Sequence, residues 1–276
     1  MKHNIDHQVV QDFGDEWDAY RQTQILGTEA ERLFQAYFSV FPWDKLPKEA
    51  VGMDVGCGSG RWAYYASQKV GTLHCVDPAE KALAVAQSNL EDRKNCRFHK
   101  ADALTLPMKN ESLDFGYSLG VLHHIPDTAL ALQACVRKLK KGAPFLLYLY
   151  YRFDNRPFWF VQLWRLSEIG RRKISKLPFR QKLWVTKLIA ALIYYPLARL
   201  SFLLEKIGFN VSSMPLSTYR HTSFYTMKTD ALDRFGTTLE QRFTKKEMQA
   251  MMARAGLKDV VFSALEPYWC AVGVKA

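Results

Sequence analysis

The sequence has no Cys-X-X-Cys pair, and its cysteines are odd in number: five, at Cys57, Cys75, Cys96, Cys135 and Cys270. That pattern suggests neither a zinc site nor a disulfide framework, so reduced, mostly buried thiols are expected, and no metal. There is no internal repeat and no low-complexity stretch. The N-terminal residues "MKHNIDHQVVQDFGDEWDAY" lack the apolar core of a secretory signal, which leads to the expectation of a cytoplasmic protein. Long apolar runs are also missing. The longest, "LIAALIYYPLA" (Leu188 to Ala198), is flanked by Lys187 and Arg199, interrupted by Pro196, and shorter than the about 20 residues a membrane span needs. A buried or interfacial helix is expected there. Acidic residues are outnumbered, 27 against 38 Lys and Arg, giving a net charge of +11 that leaves three anionic partners open: nucleic acid, a phosphorylated substrate or a lipid surface.

With 48% hydrophobic residues the chain can bury a substantial core. From Met53 to Tyr150 short β-rich runs alternate with helical patterns: "VGMDV", Arg61 to Lys69, "TLHCVD", Ala79 to Leu90, "CRFHKA", "LDFGYSL", Thr128 to Leu139 and "PFLLYLY". Alternation of this kind is the signature of βαβ units and of a parallel sheet covered on both faces. The nearly continuous apolar run "PFLLYLY" suits a strand buried on both sides.

The rhythm stops after Tyr150. Arg152 to about Phe235 is rich in aromatics and cations and reads as a mainly helical insertion. Between Arg152 and Lys187 ten basic residues face only Asp154 and Glu168, a local net charge of +8. Regularity then returns. Thr244-Lys245-Lys246-Glu247 is a capping-box sequence that predicts a helix from about Lys245, with Gly256 placed to end it. Strands are expected over Val260 to Leu265 and Tyr268 to Val274, around the Glu266-Pro267 turn. The division expected is 1–150 for N-terminal helices and a βα core, 151–235 for a basic, aromatic helical cap, and 236–276 for a return to the core.

The stretch "VGMDVGCGSGRWAYYA" (Val51 to Ala66) carries an acid and three glycines between a strand and a helix. A dinucleotide site wants G-X-G-X-X-G, and neither reading frame supplies it, because Arg61 stands where the last glycine belongs. The pattern present is D-X-G-X-G-X-G. A carboxylate at Asp54 would repel a pyrophosphate but suits a ligand ammonium group, while bare backbone at Gly56 and Gly58 allows close approach.

In these residues the sequence resembles the class I S-adenosylmethionine-dependent methyltransferases, small-molecule or quinone-type members among them. The resemblance extends through "LHCVDPAE", "KADALTLP", "DFGYSLGVLHHIPD" and "FTKKEMQAMMARAGLKDVVF", four further segments in the family's order. It implies an α/β fold: a doubly wound, seven-stranded, mainly parallel sheet of Rossmann-like type with its last strand antiparallel, here with a helical cap inserted. It implies S-adenosylmethionine as cofactor. Asp77, with Pro78 after it, would grip the ribose hydroxyls; Asp102 and Ala103 would face the adenine; Leu119 and Gly120 would line the methyl-transfer end. Asp77 also reads as a helix cap and Asp102 as a turn residue, and Arg61 either meets the cofactor carboxylate or lies on the helix surface.

His123 and His124 are the candidate general bases, since an imidazole can take a proton from an acceptor hydroxyl or amine. The alternative is that "LHHIPD" only fixes a loop. Phe13, Trp17 and Tyr20 recur at helical spacing, which by itself indicates packing. Family members often fold an N-terminal helix over the cofactor, which makes Trp17 and Tyr20 candidates for the substrate side. Tyr219, Arg220, His221 and Tyr225, near the end of the insertion, are candidates by position. The function expected is methyl transfer by in-line displacement to a small-molecule or lipid-like, anionic acceptor. RNA or DNA methylation through the basic insertion, and non-catalytic cofactor binding, are the alternatives. Peripheral membrane contact through the insertion is left open.

Overall fold

The structure is a computed structural model that describes residues 4–23 and 27–276; residues 1–3 of the N-terminal stretch lie outside it. Along the chain run α1 (His7–Ala19), α2 (Thr28–Tyr37), β1 (Val51–Val55), α3 (Arg61–Ala66), β2 (Thr72–Asp77), α4 (Glu80–Asn89), β3 (Cys96–Lys100), β4 (Phe115–Leu119), α5 (Thr128–Lys138) and β5 (Pro144–Tyr148). Four helices of the insertion follow: α6 (Phe158–Ile174), α7 (Phe179–Ile189), α8 (Tyr195–Lys206) and α9 (Phe224–Gly236). The chain ends with α10 (Lys245–Arg254), β6 (Leu257–Phe262) and β7 (Ala271–Lys275). Two compact units result, one of residues 1–152 and 239–276, the other of residues 153–238.

In the first unit seven strands form one sheet in the order β3-β2-β1-β4-β5-β7-β6, parallel except for β7. Side chains alternate between its faces, as the two-residue period of a strand requires. Met53 and Val55 enter one core with Leu132 of α5 and Met248 and Met252 of α10. Phe115, Tyr117 and Leu119 of β4 enter the other with Trp62, Leu83 and Phe34. The strand order reverses at β1, whose neighbours are β2 and β4. In open α/β sheets a ligand crevice lies outside the carboxyl ends of the strands at such a reversal.

Helix boundaries follow local chemistry. The Asp6 side chain caps α1 by accepting from Gln8 and Val9 N–H, and Asp127 caps α5 by accepting from Leu130 N–H. Thr244 and Glu247 form the reciprocal capping box at the expected start of α10, and Gly256, at φ +91°, follows its end. The first helix after the glycine loop is shorter than its pattern predicts, because a single 3-10 turn takes over at Ser67–Lys69. The strand expected from Val260 begins at Leu257 instead, and the one expected from Tyr268 begins at Ala271. A register irregularity between Lys258 and Val261 breaks the alternation from which β6 was to be read. All five cysteines are buried and free, as expected.

The chain leaves and re-enters the sheet side by side. Arg152 N–H donates to Phe243 carbonyl (2.9 Å) and Phe243 N–H to Tyr150 carbonyl (2.9 Å), so the base of the insertion is closed within the first unit.

In the second unit α7, a π turn at Ala190–Tyr194 and α8 run on without a break, making one helix from Phe179 to Lys206. This corrects the expectation that the apolar tract is too short. Pro196 does not end the helix, because it follows directly on the wide π turn, where its missing N–H and its ring are accommodated. By length and composition the helix meets the requirement for a membrane span.

Gly52 tests the packing between β1 and β4. A Cβ there would fall 2.1 Å from the ring of Phe115, itself fully buried. We expect Gly52→Ala to destabilise the first unit by about 1–3 kcal/mol, measured as a lower urea midpoint, because the ring has no space into which to move.

Candidate functional site

The glycine loop leaves β1 after Val55 and turns back against β2. Gly56 and Cys57 N–H both donate to Val76 carbonyl (2.7 and 3.0 Å). Gly56 and Gly58 have φ of +78° and +53°, and close neighbours fill the space a side chain would need. A Cβ on Gly56 would fall 2.4 Å from Val121 Cγ1, and one on Gly58 2.9 Å from Trp17 Nε1.

Asp77 ends β2 with a buried carboxylate. Gly58 N–H donates to its Oδ2 and Ala79 N–H to its Oδ1, both at 2.9 Å. It therefore fastens the glycine loop to the sheet and holds the turn at Ala79 that leads into α4, whose own first turn has no side-chain cap. Each oxygen keeps a second lone pair for a ligand hydroxyl. Burial raises its pKa to about 6, against the lowering effect of those two N–H groups.

Asp54 lies one residue before the end of β1, opposite Cys75 of β2 and Tyr117 of β4, and is 1% exposed. Burial pushes its pKa up to about 8; the Tyr117 hydroxyl opposes this and the Asp77 charge adds to it. Arg61 lowers it slightly from a distance while its guanidinium stacks 4.2 Å from the centre of the Trp62 ring. Burial thus favours the protonated acid at Asp54, and a ligand cation beside it would favour its ionisation. Tyr117 as its neighbour was not singled out from the sequence, where it reads only as a strand residue.

Asp102 follows β3 and serves a turn. Its Oδ1 accepts from Leu104 N–H (2.7 Å) and Thr105 N–H (3.1 Å), with Ala103 buried beside it. Leu119 ends β4 buried, and Gly120, at φ +77°, has open space where a side chain would stand. Pro78 sits half-buried between Asp77 and α4.

The histidines lie just beyond, both buried. His124 Nδ1–H donates to Leu239 carbonyl (2.6 Å), since a carbonyl can only accept, which leaves Nε2 as the nitrogen bearing the lone pair. His123 stacks between His124 and Tyr150, at 4.0 Å from each ring centre, and neither of its nitrogens has a hydrogen-bond partner. Burial, with smaller contributions from His124 and Arg242, pushes its pKa well below the usual range. Its burial favours the neutral imidazole. Arg242, which the sequence did not suggest, stands 5.1 Å from the Tyr150 ring centre and bonds Glu240 (2.7 Å).

α1 connects the two groups. Phe13 meets His124 edge-on at 4.9 Å, while Trp17 lies against Gly58 and Tyr20 is buried at the helix end. Asn4 fixes this segment by exchanging hydrogen bonds with the backbone of Asp127 (2.9 and 2.7 Å).

Tyr219, Arg220, His221 and Tyr225 belong to the second unit and are engaged within it. Arg220 and His221 both bond Glu205 (2.9 and 2.8 Å), Tyr219 packs on Tyr194 at 5.2 Å, and Lys228 lies over Tyr225 at 4.6 Å.

The raised pKa of Asp54 has a stability consequence. An unfolded aspartate ionises above about 4, whereas the folded chain holds this proton until about 8, so stability falls as pH rises between the two. We expect Asp54→Asn to remove that slope, giving a higher Tm than the wild type at pH 8 and little difference at pH 4. Thermal melts of the ligand-free protein across this range check it, and parallel wild-type and variant curves would refute it.

Residues 53–147 match a family described as a methyltransferase domain. The chain is 37% identical over 93 residues to ubiquinone biosynthesis O-methyltransferase of Pseudomonas fluorescens, covering 33% of this chain and 40% of that one. It is 28% identical over 140 residues to demethylmenaquinone methyltransferase of Staphylococcus aureus, covering 49% and 56%. The chain thus spans about half the length, or less, of these curated relatives. A solved S-adenosylmethionine-dependent methyltransferase structure from Thermotoga maritima shares the fold, with a TM-score of 0.50 and 17% identity over 96% of this chain and 100% of that one. Seven strands in this order and an acid-and-glycine loop at the reversal point agree with the match of residues 53–147 to a methyltransferase domain: the sheet has the Rossmann-like fold of the class I S-adenosylmethionine-dependent methyltransferases.

Proposed function

We propose that the chain transfers the methyl group of S-adenosylmethionine to a small, lipid-like acceptor by in-line displacement. The observation that carries this reading is the pair of buried carboxylates at the ends of adjacent strands, Asp54 raised to about 8 and Asp77 to about 6, beside a loop that admits no side chain at Gly56 or Gly58. Both carboxylates carry polar capacity that an ammonium group and a sugar diol would satisfy.

Asp54 holds the amino group of the cofactor, and the backbone of Gly56 and Gly58 lies close along its aminoacyl part. Asp77 accepts the ribose hydroxyls, Asp102 and Ala103 border the adenine, and Leu119 and Gly120 line the reacting end. Trp17 closes over the loop from α1. When bound, the cofactor supplies a methyl group already activated on a sulfonium, so alignment of the acceptor does much of the work. His124, with Nδ1–H fixed on Leu239 carbonyl, is oriented to take a proton from an acceptor hydroxyl through Nε2. His123, neutral and stacked on it, keeps a second positive charge away from that ring.

The relatives named for ubiquinone and demethylmenaquinone favour an acceptor with an apolar body. Nucleic acid is the weaker reading, because several cations of the insertion are committed internally: Arg171 and Arg234 to Glu168, Arg220 to Glu205.

Calorimetry with S-adenosylmethionine is expected to show net release of a proton at pH 7, read from buffers of differing ionisation enthalpy, as Asp54 ionises against the ligand amine. Asp77→Asn should weaken binding at least about tenfold, the loss of one or more hydrogen bonds to a charged acceptor. Unchanged affinity would remove Asp77 from the ribose site. With labelled cofactor and cell extract, label in the organic phase is expected; label in RNA would support the nucleic-acid alternative.

A further inference from the structure

The continuous helix Phe179–Lys206 has its polarity reversed. One row of residues at four-residue steps, Lys182, Thr186, Ala190, Tyr194 and Ala198, then Ser201, is buried in the second unit. Ala190, Tyr194 and Ala198 pack there with Met227 and Ala231 of α9. The row two residues on, Trp184, Leu188, Leu192, Leu200 and Leu203, with Ile207 just past the helix end, is 38–72% exposed. Small and polar side chains face in, and large apolar ones face out. A water-soluble surface helix shows the opposite arrangement.

The π turn keeps these rows aligned. At 3.6 residues per turn, a row of four-residue steps drifts by about 40° at each step, which over the helix would spread the large residues around its circumference. The wider turn at Ala190–Tyr194 holds more residues and takes up this drift midway. The result is one apolar stripe along a helix of 28 residues, of whose most apolar window only 22% is buried.

Charge indicates what covers the stripe. Arg180, Lys187 and Lys206 are exposed along the same helix, and Lys206 and Arg199 lie over Phe202 and Tyr195 at 4.7 and 5.0 Å. Residues 153–238 hold fourteen Lys and Arg against five Asp and Glu, a net +9 out of the chain's +11. A second copy of this face would bring like charges together. Anionic headgroups with acyl chains beneath them complement both the cations and the stripe.

We propose that the outward face of Phe179–Lys206 docks the protein, with the helix lying flat, on an anionic lipid bilayer. The helix lies flat rather than crossing because its inner row is committed to α9, which also carries Lys228, Asp230, Asp233 and Arg234. A crossing helix would draw these groups into hydrocarbon. The proposal does not rest on the methyltransferase reading, since it uses no residue of the cofactor site.

Vesicle co-sedimentation of the full chain tests it. The wild type should sediment with phosphatidylcholine vesicles containing phosphatidylglycerol, much less with phosphatidylcholine alone, and be partly released by salt. Leu192→Asp with Leu200→Asp, both on the exposed row, should lower partitioning by about tenfold or more with the circular dichroism spectrum unchanged. Fluorescence quenching by lipids brominated near the headgroup should fall in Trp184→Phe. Absence of binding to either vesicle overturns the proposal, as does equal binding by the double variant. A dimer in sedimentation velocity that the same substitutions dissociate would assign the face to a second copy instead. Retention in vesicles after an alkaline carbonate wash would place the helix across the bilayer, and also overturns it.

Discussion

The Asp77 carboxylate holds the site in place. It receives one N–H from the glycine loop and one from the start of α4, so loop, strand and helix meet on a single buried group. A buried carboxylate is tolerable only when hydrogen-bonded or protonated. Asp77 uses the first solution in part and Asp54, one strand over, uses the second. Two acids beside one another without a bound cation oppose folding, and the parallel register of β1 and β2 leaves them no way to separate.

The helix α1 extends the constraint along the ends of the strands. Its Trp17 occupies the space a side chain on Gly58 would need, and its Phe13 presses on His124. One helix thereby touches both the glycine loop and the imidazole of His124. His124 is oriented by a backbone carbonyl from the returning chain at Leu239, and Tyr150 and Arg242 stand where the insertion departs and returns.

The insertion has a small core of its own around Ala190, Tyr194, Ala198, Met227 and Ala231. Part of its basic character is structural. Glu168 is held well below the usual carboxylate range, at about 2, where Arg171 and Arg234 overcome the opposing effect of burial. What remains on the outside of Phe179–Lys206 is an apolar stripe bordered by cations.

The sequence by itself determined the alternation of strand and helix, the glycine loop, the acids at Asp54, Asp77 and Asp102 and the capping box at Thr244, because each is a local pattern set by backbone sterics or by spacing within one element. It could not determine that Asp102 spends one oxygen on Leu104 and Thr105, that Arg61 stacks on Trp62, or that Tyr117, Tyr150 and Arg242 stand beside the chosen acids and histidines. The first two are local contacts between which the sequence left a choice open; the last depends on strands distant in the chain lying side by side. The full length of the helix that carries the apolar tract was not legible either, because Pro196 reads as a break and the π turn before it leaves no mark in composition. Only the tertiary structure decided which acid keeps its proton, which histidine nitrogen bears the lone pair and which side of the long helix faces out. Each of these is set by burial and by partners far away in sequence.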